Sequence, residues 1–166
     1  MAIRPSLYGQ GRENVYIQRS KFFFFMQPLS VLVVDDHSIV RQGICGILSD
    51  EPTLDVVGEV ASGEEAVTRA QSLRPDLILL DISLPGISGI AAARLIRQVS
   101  SQTQIIFLSQ HDSPQMVREA FNSGGDGYVT KVDAVSELLE AIHAVLEGNQ
   151  FVSQRIRFED CTEKPF

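Results

Sequence analysis

The sequence predicts an α/β fold in which a parallel sheet is covered on both faces by helices. Three observations carry this. Val31–Val34, Leu77–Leu80 and Ile105–Leu108 are short, wholly apolar runs, the signature of strands buried on both sides. Each alternates with a stretch whose apolar residues recur at helical spacing. Each also stops abruptly at a polar residue: Asp35-Asp36, Asp81 and Ser109. Serial strand–helix alternation means parallel strands joined by crossovers.

In chain order, Val31-Leu32-Val33-Val34 forms the first strand, and Val40, Ile44, Ile47 and Leu48 mark the first helix, closed by Glu51-Pro52. Leu54, Val56 and Val60 roughly alternate with Asp55 and Glu59, as in a less buried edge strand. Ser62-Gly63-Glu64-Glu65 is a capping-box pattern. It opens a helix with an inner face of Ala66, Ala70 and Leu73. Leu77–Leu80 is the third strand, and Ile90 to Val99 a third, alanine-rich helix. Ile105–Leu108 follows. Ser113-Pro114 then supplies an N-cap and a proline in the first turn. Met116, Val117, Ala120 and Phe121 share one face of that helix. Tyr128-Val129-Thr130 is a short fifth strand, ended by Lys131. Val135, Leu138, Leu139, Ile142, Val145 and Leu146 form the last helix, stopped by Gly148. Five such strands favour a flavodoxin-like, doubly wound order, 2-1-3-4-5.

The chain has 166 residues, 44% of them hydrophobic, enough for one domain with appendages. Its net charge is −7. Residues 1–28 carry Arg4, Arg12, Arg19 and Lys21 against Glu13, a net of +3, so the remainder stands near −10. An acidic body argues against nucleic-acid binding by these residues themselves. Residues 1–28, with the run Phe22–Phe25, have no clear period and read as a flexible or non-native extension. Residues 29–152 form the domain, and residues 153–166 a linker or tail. Cys45 and Cys161 make neither a metal spacing nor a disulfide framework. Cys45 falls in a helical pattern and is read as a small core residue. No apolar run approaches the roughly 18 residues a membrane helix needs, so a soluble, cytoplasmic protein without membrane partners is expected.

Ligands of open parallel sheets bind beyond the carboxyl ends of the strands. Those ends carry Asp35-Asp36, Asp81, Ser109 and Lys131. Strands 1 and 3 are neighbours at the point where the strand order reverses, so their acids should be close. Two like charges at 4 Å repel by about 4 kcal/mol at an effective dielectric of 20. Three acids together therefore call for a cation. All-oxygen ligands favour a hard ion, and Mg²⁺ fits because it accepts few protein ligands and keeps waters. A loop carbonyl such as that of Ser83 could add a further oxygen.

The acids Asp35-Asp36, the motif Asp81-Ile82-Ser83-Leu84-Pro85-Gly86 with Gly89, then Ser109 and Lys131, resemble a response-regulator receiver domain of two-component signalling. The resemblance spans about residues 29–152. Asp35-Asp36-His37 with Arg41 and Gly43, and the closing Gly148–Ser153, look most like the subfamily with a C-terminal LuxR/NarL-type helix-turn-helix. The resemblance implies that Asp81 takes a phosphoryl group from a sensor histidine kinase. It implies Mg²⁺ held by Asp35, Asp36, Asp81 and the Ser83 carbonyl. Lys131 and Ser109 would contact the phosphoryl group, and Tyr128 would be an aromatic switch. It also implies a possible homodimer on phosphorylation, through helix 4, strand 5 and helix 5 or through helices 1 and 5. DNA contact would belong to an attached output domain, absent between residue 154 and Phe166. The chain is thus expected not to be an enzyme, beyond taking part in its own phosphorylation and dephosphorylation.

Alternatives are a stand-alone or phosphate-independent receiver acting as an interaction module, and a small aspartyl-phosphate phosphatase. The phosphatase pattern has a second acid two residues after the nucleophile, where this chain has Ser83. Taken singly, each residue has a plainer use. Asp35-Asp36 could start a helix, Lys131 could be a surface charge, and Tyr128 could be core. His37, His111 and His143 show no metal spacing and read as structural or exposed. Gly86 and Gly89 most simply serve turn geometry.

Overall fold

The apolar runs become the centre of a sheet. A computed structural model describes residues 27–156 of the chain. The elements are β1 (Leu29–Val34), α1 (Ser38–Ser49), β2 (Leu54–Val60), α2 (Gly63–Leu73), β3 (Leu77–Asp81), α3 (Gly89–Val99), β4 (Gln104–Ser109), α4 (Pro114–Asn122), β5 (Gly127–Thr130), α5 (Ala134–Leu146) and β6 (Phe151–Val152). All strand pairs are parallel, in the order β2-β1-β3-β4-β5-β6. The expected order 2-1-3-4-5 is present, but the expected count of five is corrected to six among the described residues. The sixth strand is two residues long, too short to show any period, and pairs only with Gly127 and Tyr128.

The sheet divides the core by the two-residue period of its strands. Leu32, Val34, Ile78, Leu80, Ile105 and Phe107 face one way, packed with Ala66 and Ala70 of α2, Ile90 and Ile96 of α3, and Val117 and Ala120 of α4. Val31, Val33, Leu77, Leu79, Ile106 and Leu108 face the other, under Ile44 and Leu48 of α1 and Leu138, Ile142 and Val145 of α5. Each fully buried aliphatic side chain contributes on the order of 2 kcal/mol.

The caps expected at Ser62 and Ser113 form, and Ser88 supplies a third that the sequence reading did not name. Ser62, Ser88 and Ser113 accept from the backbone N–H three residues on. The reciprocal half of the capping box differs: Glu65 Oε2 accepts from Ala61 N, at 3.3 Å. Two inner-face assignments fail. Leu73, on the last turn of α2, is exposed, and Val135, on the first turn of α5, is almost fully so. Cys45 is half-buried against the α1–α5 core. Residues 1–26, including the phenylalanine run, and residues 157–166, including Cys161, lie outside the described residues.

Candidate functional site

Strand register builds the site. Val34 lies opposite Leu80, so the next residues, Asp35 and Asp81, leave the sheet side by side. Asp81 in turn lies opposite Leu108, and Ser109 opposite Thr130, which puts Lys131 just beyond. Asp35 and Asp81 are 0% and 1% exposed. Lys131 Nζ donates to Asp81 Oδ2 at 2.8 Å and forms an ion pair with Asp35 Oδ2 at 2.6 Å. Burial alone would lower the Lys131 ammonium, but the two carboxylates outweigh it and hold it above the ordinary lysine value.

Local backbone fixes the acids. His37 N donates to Asp35 Oδ1 at 2.8 Å, and Arg41 Nη1 donates to Asp35 O at 2.6 Å. Ser83 N donates to Asp81 Oδ1 at 3.1 Å. Gly86 does serve a turn, with φ of +74°. Gly89 has another use: a Cβ there would stand 2.0 Å from the Asp81 carbonyl oxygen. Its missing side chain lets the start of α3 close against the strand end that carries Asp81.

Ligand atoms of Asp35, Asp36, His37 and Asp81 lie within 4.8 Å of one another. The Lys131 ammonium pairs with both Asp35 and Asp81, and Asp36 adds a third carboxylate beside them. A hard cation would supply the missing positive charge to these oxygen donors, so the set fits Mg²⁺. His37 escaped the sequence reading because it follows the acid pair instead of standing at a ligand spacing. Its Nδ1 is 2.9 Å from Asp36 Oδ1.

Ser109 and Tyr128 meet through a loop. Ser109 is buried, and its Oγ accepts from His111 N at 3.0 Å. The hydroxyl of Tyr128, whose side chain is fully buried, donates to His111 O at 2.9 Å. Burial pushes its phenol above the ordinary value, against an opposing effect of Ser109. All the strand-end residues singled out in the sequence therefore converge on one pocket or on its adjoining loop.

The fold and site define a parallel α/β domain with a buried acid–lysine centre at its strand ends. The chain belongs to the response regulator receiver domain family, which matches residues 31–143. It is 35% identical over 128 residues to the response regulator GacA of Pseudomonas viridiflava, covering 77% of this chain and 60% of that relative. It is likewise 35% identical over 130 residues to the nitrate/nitrite response regulator protein NarL of Escherichia coli strain K12, covering 78% and 60%. A LuxR-family two-component response regulator from Aurantimonas sp. SI85-9A1 superposes with a TM-score of 0.75 at 36% identity, covering 78% of this chain and 93% of that one. The chain thus spans about 60% of the length of GacA and NarL. Within it lies the receiver domain of a two-component response regulator related to the LuxR/NarL type. No helix among the described residues is long and apolar enough to cross a membrane.

Proposed function

We propose that Asp81 is the phosphoacceptor and that the other strand-end residues serve its phosphorylation. The observation that carries this is the buried Asp81 carboxylate, bonded to Lys131 at 2.8 Å beside the buried Asp35. Asp81 attacks the phosphorus of a phosphohistidine on a partner kinase. An O–P bond forms, the N–P bond breaks, and the freed imidazole takes up a proton. Phosphoryl transfer needs positioning and charge stabilisation above all. Asp35, Asp36, Asp81 and the Ser83 carbonyl would hold Mg²⁺, which when bound neutralises charge on the phosphoryl oxygens. Lys131 turns from the carboxylates to the new phosphoryl group, Ser109 donates its hydroxyl to a phosphoryl oxygen, and Tyr128 follows the loop that carries His111.

The rim of the pocket suits a protein donor. Ile39, Val132 and Val135 are 82%, 72% and 84% exposed and come from the start of α1, the β5–α5 connection and the first turn of α5. They offer an apolar seat for a helix of a sensor histidine kinase. The readout is a shift between two surface states. An attached DNA-binding domain would use it to control transcription in the cytoplasm. DNA contact belongs to that domain and not to this acidic chain. A homodimer formed on phosphorylation would use either the α4–β5–α5 face or the α1–α5 face.

Incubation with Mg²⁺ and acetyl phosphate should add one phosphoryl group, seen by mass spectrometry. Asp81→Asn should abolish it. Undiminished labelling of that variant would sink the assignment.

A further inference from the structure

The chain does not leave the domain at the end of α5. Gly148, at φ +86°, ends the helix in a Schellman turn. Asn149 N donates to Ala144 O and Gly148 N to Val145 O, each at 2.9 Å. The turn lays Phe151–Val152 along β5 as β6. Ser153 is then fastened twice: its N donates to Tyr128 O at 2.9 Å, and its buried Oγ accepts from Thr130 N at 2.9 Å. Gln154 N donates to Glu137 Oε1 at 3.3 Å. Arg155 clasps Asp133 with two bonds, at 2.8 and 3.1 Å. Ile156 is buried in the cluster that contains Tyr128 and Phe107.

We propose that Phe151–Ile156 is a latch, closed on β5 while Asp81 is unmodified and released when Asp81 is phosphorylated, so that the acid pocket governs the chain that follows Ile156. This inference rests on the reading of Asp81 as phosphoacceptor.

Two routes join pocket and latch. The first runs through the β4–α4 loop. Ser109 Oγ holds His111 N, and His111 O holds the Tyr128 hydroxyl. Turning Ser109 toward a phosphoryl oxygen draws this loop inward and takes His111 O from Tyr128, whose ring shares a core cluster with Ile156. The second route is the backbone around Lys131. Thr130 gives its N–H to Ser153 and its hydroxyl to Asp133 Oδ2, the oxygen that Arg155 Nε also takes. Lys131 stands between these anchors, so its swing toward a phosphoryl group pulls on both.

The closed latch also carries a cost that opening removes. Glu137 is 9% exposed, and its Oε2 is buried without a hydrogen-bond partner. A carboxylate oxygen left so is poorly solvated. Lifting Gln154 and its neighbours returns it to water, which brings the open and closed states nearer in free energy.

Hydrogen–deuterium exchange of the whole chain in Mg²⁺, with and without beryllofluoride as phosphoryl mimic, tests the latch, while fluorine NMR independently reports whether the mimic is bound. Protection of the amides of residues 153–156 should fall about tenfold on binding, within the usual range of coupling between sites. Bound fluoride with unchanged protection overturns the latch and leaves the phosphoacceptor reading standing. No bound fluoride overturns both. Coupling is reciprocal, so Arg155→Ala, which touches none of Asp35, Asp36 and Asp81, should tighten beryllofluoride binding about fivefold. Equal or weaker binding overturns the latch.

Discussion

The two ends of the sheet each hold a cation among oxygen atoms, and they do so differently. Where the strands begin, Arg97 of α3 donates to Gly124 O at 2.8 Å, to Ser101 O at 3.2 Å, to Thr103 O, and to Asp126 Oδ2 at 2.6 Å. Asp126 Oδ2 also accepts from Ile105 N at 2.8 Å. Nearby, Ser30 N and Oγ both donate to Asp76 Oδ2 at 2.7 Å. Arg97 and Asp126 complement one another there. Where the strands end, one ammonium is shared by Asp35 and Asp81, and Asp36 leaves the cluster with more negative than positive charge. The first network is complete as it stands and fastens the fold. The second is completed by a ligand. Shape does not separate them: a hollow of about 440 Å³ lies at the Arg97 end, lined by Arg74, Asp76, Ser101 and Gln104. The imbalance of charge does.

Removing each cation in turn should break the comparison if it is wrong. Lys131→Ala leaves Asp35 and Asp81 buried without compensation, a change that costs about 4 kcal/mol. Urea unfolding should show that loss in chelator, and millimolar Mg²⁺ should recover a large part of it, since a ligand of the folded state stabilises by mass action. The same ion should raise the wild-type midpoint. Arg97→Ala loses several hydrogen bonds, about 2 kcal/mol in net. Mg²⁺ should return none of that, and acetyl phosphate labelling should be unchanged. Equal Mg²⁺ dependence of the two variants would end the distinction. Gly89→Ala falls between them, at about 3 kcal/mol, because its Cβ meets the Asp81 carbonyl, which is backbone and cannot swing aside. Unlike Arg97→Ala, it should also slow labelling.

Most of the architecture was legible because hydrophobic period is a local property. The runs Val31–Val34, Leu77–Leu80 and Ile105–Leu108 read as two-sided strands, and Ser62 and Ser113 announce two helix starts. The pocket followed from topology, which puts Asp35 beside Asp81 once the strand order is known. What escaped depends on contacts remote in sequence. Phe151–Val152 is a strand only because β5 has a free edge. Gly89 looked like a turn residue, yet its role is set by Asp81, eight positions back and folded against it. Val135 fits the helical period of α5, but its turn overhangs the end of the sheet, where nothing covers it. His37 and Arg41 brace Asp35 through bonds that no ligand spacing encodes.

The smallest expected effect concerns the boundary between pocket and core. Tyr128 is packed as a core residue, while its hydroxyl reaches the loop that borders the acids. Its phenol is raised above the ordinary value, first by burial and further by Asp112. A raised value means the fold favours the protonated phenol. Its contribution to stability is therefore complete below about pH 10 and is lost as pH climbs through the higher folded value. Tyr128→Phe removes the bond to His111 O and should cost about 1 kcal/mol at neutral pH. It also removes the titration, so the gap between wild type and variant should narrow as pH rises from about 8 to about 11. Lys131 titrates in both proteins and cancels from the difference. Parallel urea midpoints across that range would show that the phenol is not held by the loop. A gap that closes would place Tyr128 on the pocket's side of the comparison, as a core residue whose hydroxyl belongs to the site.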